Sequence, residues 1–432
     1  MKKKSFSLSS ALPVGGPEGA RSVKESVDYC TRCNACVQSC PSYLLQQEEA
    51  YSPRGRNQIV RLLAERKIKF SDNAPLAQDV TRTCLLCARC TAACAGGLPM
   101  ADHVLALRRA AGWDFLPAPL KMLLRLYGTH PKMFERLLVL LRILRRTGAV
   151  RLLRVCGILS LPSLRWVRHA DDILPRRGKT LRQLLKKQGL PAAPEKPDLL
   201  YLPSFEAQYA DAELARAVLC LLQDKTPHIL LGTPSGLFEY IYGDASLSLL
   251  QAKNILSVWE KLGGKRKLPL VTDSIEIYGF LKHFPVLFAA YPAWHKRALA
   301  LAGKVQFITE LSGARRTEKA AANGFCALDA SSVLYPPADA AEKARKILKT
   351  HFGKNFVECE YSRFVTPAGG LAFVRGARAE EAALENVKDV ARRQITQVYC
   401  LSGLAALELD AALRRHYPQA RARHIVHIQA KP

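Results

Sequence analysis

The C-terminal part of the chain alternates short apolar runs with longer amphipathic stretches. Runs at 198–202, 228–231, 268–272, 305–308, 324–328 and 397–401 have the length and composition of buried strands. Stretches at 211–222, 246–262, 338–352 and 378–393 carry apolar residues at helical spacing. Strand–helix alternation favours a mostly parallel sheet. The pattern divides into two related α/β halves, 197–311 and 312–432.

Upstream, residues 113–196 read as a helical connector. Phe134, Leu137, Leu141 and Leu144 share one helical face, and Arg136, Arg142 and Arg146 lie mostly away from it. The pattern continues over 152–166, broken by Gly157 and Pro162. A second basic stretch, 176–187, leads to a linker at Pro191 to Pro194. Such helices either pack on the protein with a wet basic back, the commoner outcome, or lie on anionic lipid. Residues 25–112 form a mostly helical module with intervening loops. Ser52 suits a helix N-cap and Pro53 the first helical position, with Ile59, Leu62 and Leu63 facing inward. Gly96-Gly97-Leu98-Pro99 makes a turn before a helix over 101–111. Residues 1–24 begin with Met1 and three lysines but lack the apolar stretch of a signal peptide, and read as a disordered tail. The expected architecture is thus α+β and multidomain: a helical module, a basic connector and two α/β repeats.

Composition adds a compartment and a charge problem. The chain has 432 residues, 49% of them hydrophobic, which is enough for real cores. No run approaches the roughly 18 apolar residues of a membrane span. Thirteen cysteines without a secretion signal point to a reducing cytoplasm. The formal charge is +27, and it is uneven: residues 117–190 hold 17 Lys or Arg against three acids. Candidate partners for that segment are an anionic membrane surface, an acidic protein or nucleic acid.

The cysteines carry the chemistry. Cys30, Cys33, Cys36 and Cys40 have the spacing C-x2-C-x2-C-x3-C, and Cys84, Cys87, Cys90 and Cys94 repeat it. That spacing suits a cubane [4Fe–4S] cluster, and two copies predict two clusters. Three thiolates on a tight loop face one point, while the fourth begins the next helical turn and points elsewhere. In two-cluster ferredoxins the fourth cysteine serves the other cluster. This assigns Cys30, Cys33, Cys36 and Cys94 to one cluster, and Cys84, Cys87, Cys90 and Cys40 to the second. Zinc sites use two C-x2-C pairs rather than an evenly spaced triplet plus one. Arg54 and Arg56 either offset the charge of a thiolate-ligated cluster or form a solvated first turn. The remaining cysteines, Cys156, Cys220, Cys326, Cys359 and Cys400, read as buried thiols. His103 and His130 follow no metal-ligand spacing and suit surface or capping roles.

This layout resembles the iron–sulfur subunit of bacterial glycolate oxidase, related to components of lactate and glycerol-3-phosphate dehydrogenases and sharing modules with heterodisulfide reductases. The likeness rests on the cysteine runs, on Ser52-Pro53-Arg54-Gly55-Arg56 between them, and on Cys87 to Leu98. A weaker pattern match continues at Val271-Thr272-Asp273-Ser274, Phe280-Leu281-Lys282 and Ala368-Gly369-Gly370. The resemblance implies a two-cluster ferredoxin module followed by two cysteine-rich repeats, called CCG domains. Here the repeat cysteines are degenerate: their positions fall on Leu230-Leu231, near Ile277, on Ser331, near Val365-Thr366 and near Leu404. Without thiolates no soft ligand set remains there, so the repeats are expected to persist as a docking scaffold. Convergence of Cys326, Cys359 and Cys400 on a metal is not expected.

The resemblance implies an electron-transfer subunit. Electrons from a flavin-dependent dehydrogenase of 2-hydroxy acids would pass through both clusters to a quinone or another carrier, and chemistry at carbon would belong to the partner. The chain has no P-loop, no dinucleotide fingerprint and no convincing nucleophile–base pair. A heterodisulfide-type thiol redox component is a second reading, disfavoured by the lost cysteine pairs. Nucleic-acid binding is a third, disfavoured because the basic residues interleave with leucine rather than stacking aromatics. The expected location is cytoplasmic, with peripheral contact at the inner membrane face through 117–190.

Overall fold

Capping chemistry sets the N-terminal helices. The computed structural model describes residues 22–69, 74–111, 117–161, 164–175, 178–263, 268–311, 324–331, 334, 338–358 and 377–430. Helix α1 (Val23–Asp28) opens on a reciprocal capping box between Ser22 and Glu25, so Ser22 to Lys24 form the start of this helix. Then come α2 (Pro41–Gln46), α3 (Pro53–Ala64), α4 (Ala74–Arg82), α5 (Arg89–Ala92) and α6 (Met100–Ala111). Helices α1, α3 and α6 close a small core of Val23, Val27, Val60, Leu63, Ala106 and Leu107.

The connector holds α7 (Ala118–Thr129), α8 (Pro131–Arg146), α9 (Ala149–Val155), α10 (Arg165–Ile173) and α11 (Leu181–Gln188). Gly157 interrupts the pattern as expected, at φ +73°. The inner face of α8 differs from the expected one. Phe134 is buried, but Leu141 and Leu144 are 38% and 40% exposed. The inward stripe runs Phe134, Leu138, Arg142 and Arg145, all lining one cavity, with Leu141 at its exposed rim. Arg142 turns inward because its guanidinium finds the Tyr209 carbonyl. Arg145 does so because Asp171 and the Asp171, Leu174 and Pro175 carbonyls surround it.

Two parallel sheets follow. The first contains β1 (Leu199–Leu202), β2 (Pro227–Ile229), β3 (Leu270–Thr272) and β4 (Val305–Phe307) in the order β2-β1-β3-β4. Its helices are α12 (Ala212–Leu221), α13 (Leu237–Tyr242), α14 (Ala245–Gly263), α15 (Ile275–Lys282), α16 (Phe284–Leu287) and α17 (Pro292–Ala302). All four residues of β1 are buried, as both faces of a central parallel strand require. The second sheet contains β5 (Phe325–Asp329), β6 (Ile395–Cys400) and β7 (Arg421–His424), in that order. It carries α18 (Ala338–Phe352), α19 (Ala377–Arg392), α20 (Gly403–His416) and α21 (Val426–Gln429). Strand β7 was not anticipated. Its Arg-Ala-Arg-His sequence has no apolar run, and only Ala422 and His424 are buried.

One continuous core links the parts, from Leu86 and Val104 through the first sheet to Leu328, Leu401 and Ile425. The order of the first sheet reverses between β1 and β3, where open parallel sheets commonly receive ligands. Here the chain fills that crevice itself. The Asp273 carboxylate accepts from the Tyr201 hydroxyl at 2.8 Å, from Ser204 N at 2.8 Å and from Ser204 Oγ at 2.6 Å. Leu230, Ile277 and Leu404, which the resemblance would align with repeat cysteines, are buried apolar side chains. Cys326 and Cys400 belong to neighbouring strands, but Cys326 pairs with Gln397 and Cys400 with Asp329. Three register steps separate them, so their side chains leave opposite faces of the sheet. Cys359, Val365-Thr366 and Ala368-Gly369-Gly370 lie outside the described residues. Cys156, read above as buried, is exposed.

Candidate metal centre

The two cysteine runs fold into the same loop. In the first, Arg32 (φ +60°) and Asn34 (φ +67°) flank Cys33. In the second, Leu86 (φ +49°) and Ala88 (φ +54°) flank Cys87. Left-handed backbone on both sides of the middle cysteine thus recurs at equivalent positions. None of the four is glycine; Arg32, Leu86 and Ala88 each carry a cost of roughly 1–2 kcal/mol, and Asn34 tolerates the left-handed region better. Strain of this kind persists where the surroundings over-determine it, typically at ligand clamps.

The thiols influence one another across the two runs. Burial pushes the Cys36 thiol up to about 11, and negative charge at Cys30, Cys94 and Cys33 adds to the rise. Burial pushes Cys87 up to about 12, with Cys40 and Cys84 contributing. Cys90 is also raised, first by burial and then by Cys87, Cys84, Cys40 and Cys36. Cys40, Cys84, Cys87 and Cys90 line one cavity, walled by Pro53, Met100 and Val104 among others. They keep some accessible surface because they face this internal space. Cys33 is the exposed member of the eight. Its thiol is lowered, chiefly by the Ala35 backbone N–H and then by Thr31. No three His, Cys, Asp or Glu side chains among the described residues close to the distances of a single-ion site.

The segment between the runs serves both loops. Ser52 Oγ accepts from Gly55 N at 2.8 Å and caps α3, with Pro53 at its first position. The two arginines divide between the roles left open by the sequence. Arg54 sits at the surface, paired with Glu49 at 2.7 Å and bonded to the Asn34 side chain of the first loop. Arg56 is buried, with Nε on the Val80 carbonyl at 3.0 Å and Nη2 on Thr83 Oγ1 at 3.2 Å. Its Nη1 lies 3.7 Å from Cys40 Sγ. Gly55 lets the chain pass, since an added Cβ would stand 2.0 Å from the Glu49 carbonyl oxygen.

Two further basic residues were not singled out from the sequence. Arg108 is fully buried; its Nη2 donates to the Cys84 carbonyl at 2.8 Å and its Nη1 to the Ile241 carbonyl at 3.1 Å. Burial lowers it to about 10, while charge at Cys84 opposes the drop. Arg89 follows Cys87 by two residues and is lowered by burial, with Cys87 and Asp329 pulling the other way. Nothing in helix periodicity distinguished either from a surface arginine. The second loop is also closed from the C-terminal side, where Leu334 N donates to the Leu86 carbonyl at 2.7 Å. His103, expected at the surface or a cap, is buried, with Nε2 2.8 Å from Ser26 Oγ. Burial drops it to about 3, so it packs as a neutral ring.

Paired cysteine loops, low-dielectric walls and buried arginines beside sulfur define a ferredoxin-type iron–sulfur protein. Residues 26–98 match the family described as a 4Fe-4S dicluster domain, so this part of the chain binds 4Fe–4S cofactor and has an electron-transfer role. No curated protein and no solved structure matches the chain.

Proposed function

We propose that the chain is the electron-transfer subunit of an oxidoreductase and holds two [4Fe–4S] clusters. Cys30, Cys33, Cys36 and Cys94 bind one; Cys84, Cys87, Cys90 and Cys40 bind the other. The observation that carries this reading is the one cavity lined by Cys84, Cys87 and Cys90 of the second run together with Cys40, the last cysteine of the first; the influence of Cys94 on Cys36 supports the reciprocal crossing. Bound clusters would supply one-electron storage. The residues' part is to fix that store and set its potential: Arg56 and Arg108 place positive charge at Cys40 and Cys84.

The exposure of Cys33 supports one direction of flow. The Cys33 side reaches the surface and suits receipt of electrons from a flavin-dependent dehydrogenase, of the 2-hydroxy-acid type on the resemblance. The Cys87 side is covered by the C-terminal part, with a quinone or another carrier as acceptor. A membrane-surface position is supported by the connector. Twelve of the nineteen large hydrophobics exposed among the described residues fall between Met122 and Leu161, interleaved with arginines. No helix of the described residues is long and apolar enough to cross a membrane.

Anaerobic iron and sulfide counting with EPR of the reduced protein tests the reading. Eight irons per chain are expected, as two cubanes require. Cys36→Ser should lose one cluster and loosen the other through the crossed ligation. Full iron in Cys36→Ser, or zinc in place of iron, removes the assignment. Copurification of a flavoprotein from the native host tests the partner.

A further inference from the structure

Beneath the connector lies a second cavity, of about 240 Å³. One water needs only ~10–15 Å³, so the space is sized for a small organic molecule. Its walls are mostly apolar and aromatic, with Arg142, Arg145 and Asp171 as the charged members of the lining. Tyr127 packs edge-on against Phe134 at 5.2 Å and against Phe205 and Phe238 at 5.9 Å each. Tyr209, delivered by a single π turn at Glu206–Ala210, closes the group at 5.6 Å from Phe134. π turns occur disproportionately at functional sites.

The position matters more than the size. At one end the cavity reaches the surface at Leu141 and Pro175, within the exposed apolar and basic helices of the connector. Phe238 and Tyr242 of α13 also wall it. Helix α13 packs directly on α6 and α7. The Ile241 carbonyl, next to Tyr242, accepts from Arg108, and the same guanidinium holds the Cys84 carbonyl. One buried side chain therefore bridges the cavity wall and the second cysteine loop.

We propose that this cavity binds a lipophilic quinone, its ring against Tyr127 and Tyr242 and its tail leaving past Leu141. Aromatic walls suit a planar ring through offset or edge contacts. The exposed leucines around the mouth suit a tail that arrives from a lipid surface. Conversion of quinone to quinol takes two electrons and two protons. A reduced flavin on the partner dehydrogenase would be the electron source, and clusters held by the cysteine loops would supply the one-electron relay. Water at the Leu141 mouth is the proton source. The acceptor role rests on the electron-transfer reading above; occupancy of the cavity does not.

The probe is a decyl-tailed benzoquinone added anaerobically to the full-length, iron-loaded protein. Trp166 lines the cavity, whereas Trp259 is buried in the sheet core and Trp294 stacks on Phe288. The quinone should quench emission saturably, and Trp166→Phe should remove most of that quench. Leu138→Phe and Ala170→Phe fill the space and should weaken binding by roughly tenfold or more, about 1.4 kcal/mol, with iron content unchanged. The same variants should slow quinone-driven reoxidation of dithionite-reduced protein. Iron-loaded protein without saturable quench overturns the cavity assignment and leaves the electron-transfer reading standing. Colourless protein that still quenches keeps the binding site and removes its redox role. Displacement of the quinone by decanol at equal concentration overturns the ring specificity and makes the cavity a lipid-tail pocket.

Discussion

Arg56 crosses from α3 to the second cysteine neighbourhood and stops with Nη1 3.7 Å from Cys40 Sγ, its other nitrogens held by Val80 and Thr83. A guanidinium so fixed cannot follow sulfur as its charge changes. It should therefore stabilise the more negative, reduced state of a cluster held by Cys40. Arg56→Gln should lower that reduction potential by on the order of 50 mV, the equivalent of about 1 kcal/mol of lost charge-assisted hydrogen bonding. EPR-monitored redox titration reads the shift. An unchanged potential in a fully iron-loaded variant would show that Arg56 is only a strut.

Gly55 tests the segment that joins the two loops. A methyl there meets the Glu49 carbonyl at 2.0 Å, and backbone cannot yield as a flexible side chain can. Gly55→Ala should cost about 1–3 kcal/mol, as overpacking does. It should also disturb the first loop, because Arg54, the neighbouring residue, holds Asn34. Denaturation midpoints and iron content check this; wild-type values for both would mean the helix start shifts freely.

Much of this was legible in the chain. Cysteine spacing is a local property, as are the Ser52 cap and the Pro53 start, and six of the seven strands were marked by apolar runs. What was hidden depends on tertiary context. Arg54 and Arg56 are two residues apart with the same chemistry, and only the packing of α4 behind α3 buries one and exposes the other. Arg108 looks like a solvated last-turn residue until α13 covers it. On α8 the leucine pattern suggested a packed stripe through Leu137 and Leu144. The carbonyls of Tyr209 and Leu174 instead drew Arg142 and Arg145 inward and rotated the helix face. The short edge strand β7 carries too little apolar signal to stand out.

Ala88 measures the backbone strain in the second loop. It holds φ +54° with a small, buried side chain, so substitution there isolates conformation from packing. Ala88→Gly should be neutral or up to about 1 kcal/mol more stable, since relief of the left-handed cost opposes a more flexible unfolded chain. Ala88→Val should lose about 1–3 kcal/mol and much of its iron, because a β-branched residue resists positive φ. Equal stability of the valine and alanine proteins would mean that the loop does not require this conformation.

Buried carboxyls predict a dependence on pH. Burial raises Glu206 to about 8, with Glu276 and Asp273 adding repulsion, and raises Glu239 to about 7. A raised acid pKa means the folded state keeps protons that the unfolded chain has released. Their favourable contribution is complete below the ordinary value of 4.5 and is lost as pH rises to about 7–8. His103 and His424, both lowered to about 3, act oppositely: their contribution is present above 6.5 and is lost as pH falls toward 3. Glu206→Gln with Glu239→Gln should therefore flatten the decline in melting temperature between pH 5 and 8.5, leaving the acid limb intact. Parallel curves for the variant and the parent would exclude ionisation of these groups as its cause.

The connector gives the last prediction, and the structure decides which arginines can be used. Arg145 is bound to Asp171, and Arg154 and Arg415 converge on Asp172. Arg142 is half-buried, with its guanidinium on the Tyr209 carbonyl. Removing any of these would loosen the fold and confuse the result. Arg136, Arg146 and Arg151 are exposed, beside the exposed Leu140, Ile143, Leu144 and Leu152. Insertion of such apolar side chains supplies roughly 25 cal/mol per Å² buried, and each basic residue near an anionic surface adds about 1 kcal/mol. Replacing the three arginines by serine should therefore weaken binding to phosphatidylserine-containing liposomes by roughly two orders of magnitude at low salt, the equivalent of about 3 kcal/mol. Replacing Leu140 and Leu144 by serine should weaken binding to neutral liposomes as well, since that term does not depend on charge. Cosedimentation across a salt series separates the two contributions. Tight, salt-independent association with neutral vesicles in all variants, or stronger binding to duplex DNA than to anionic vesicles, would remove the membrane-surface reading of this segment.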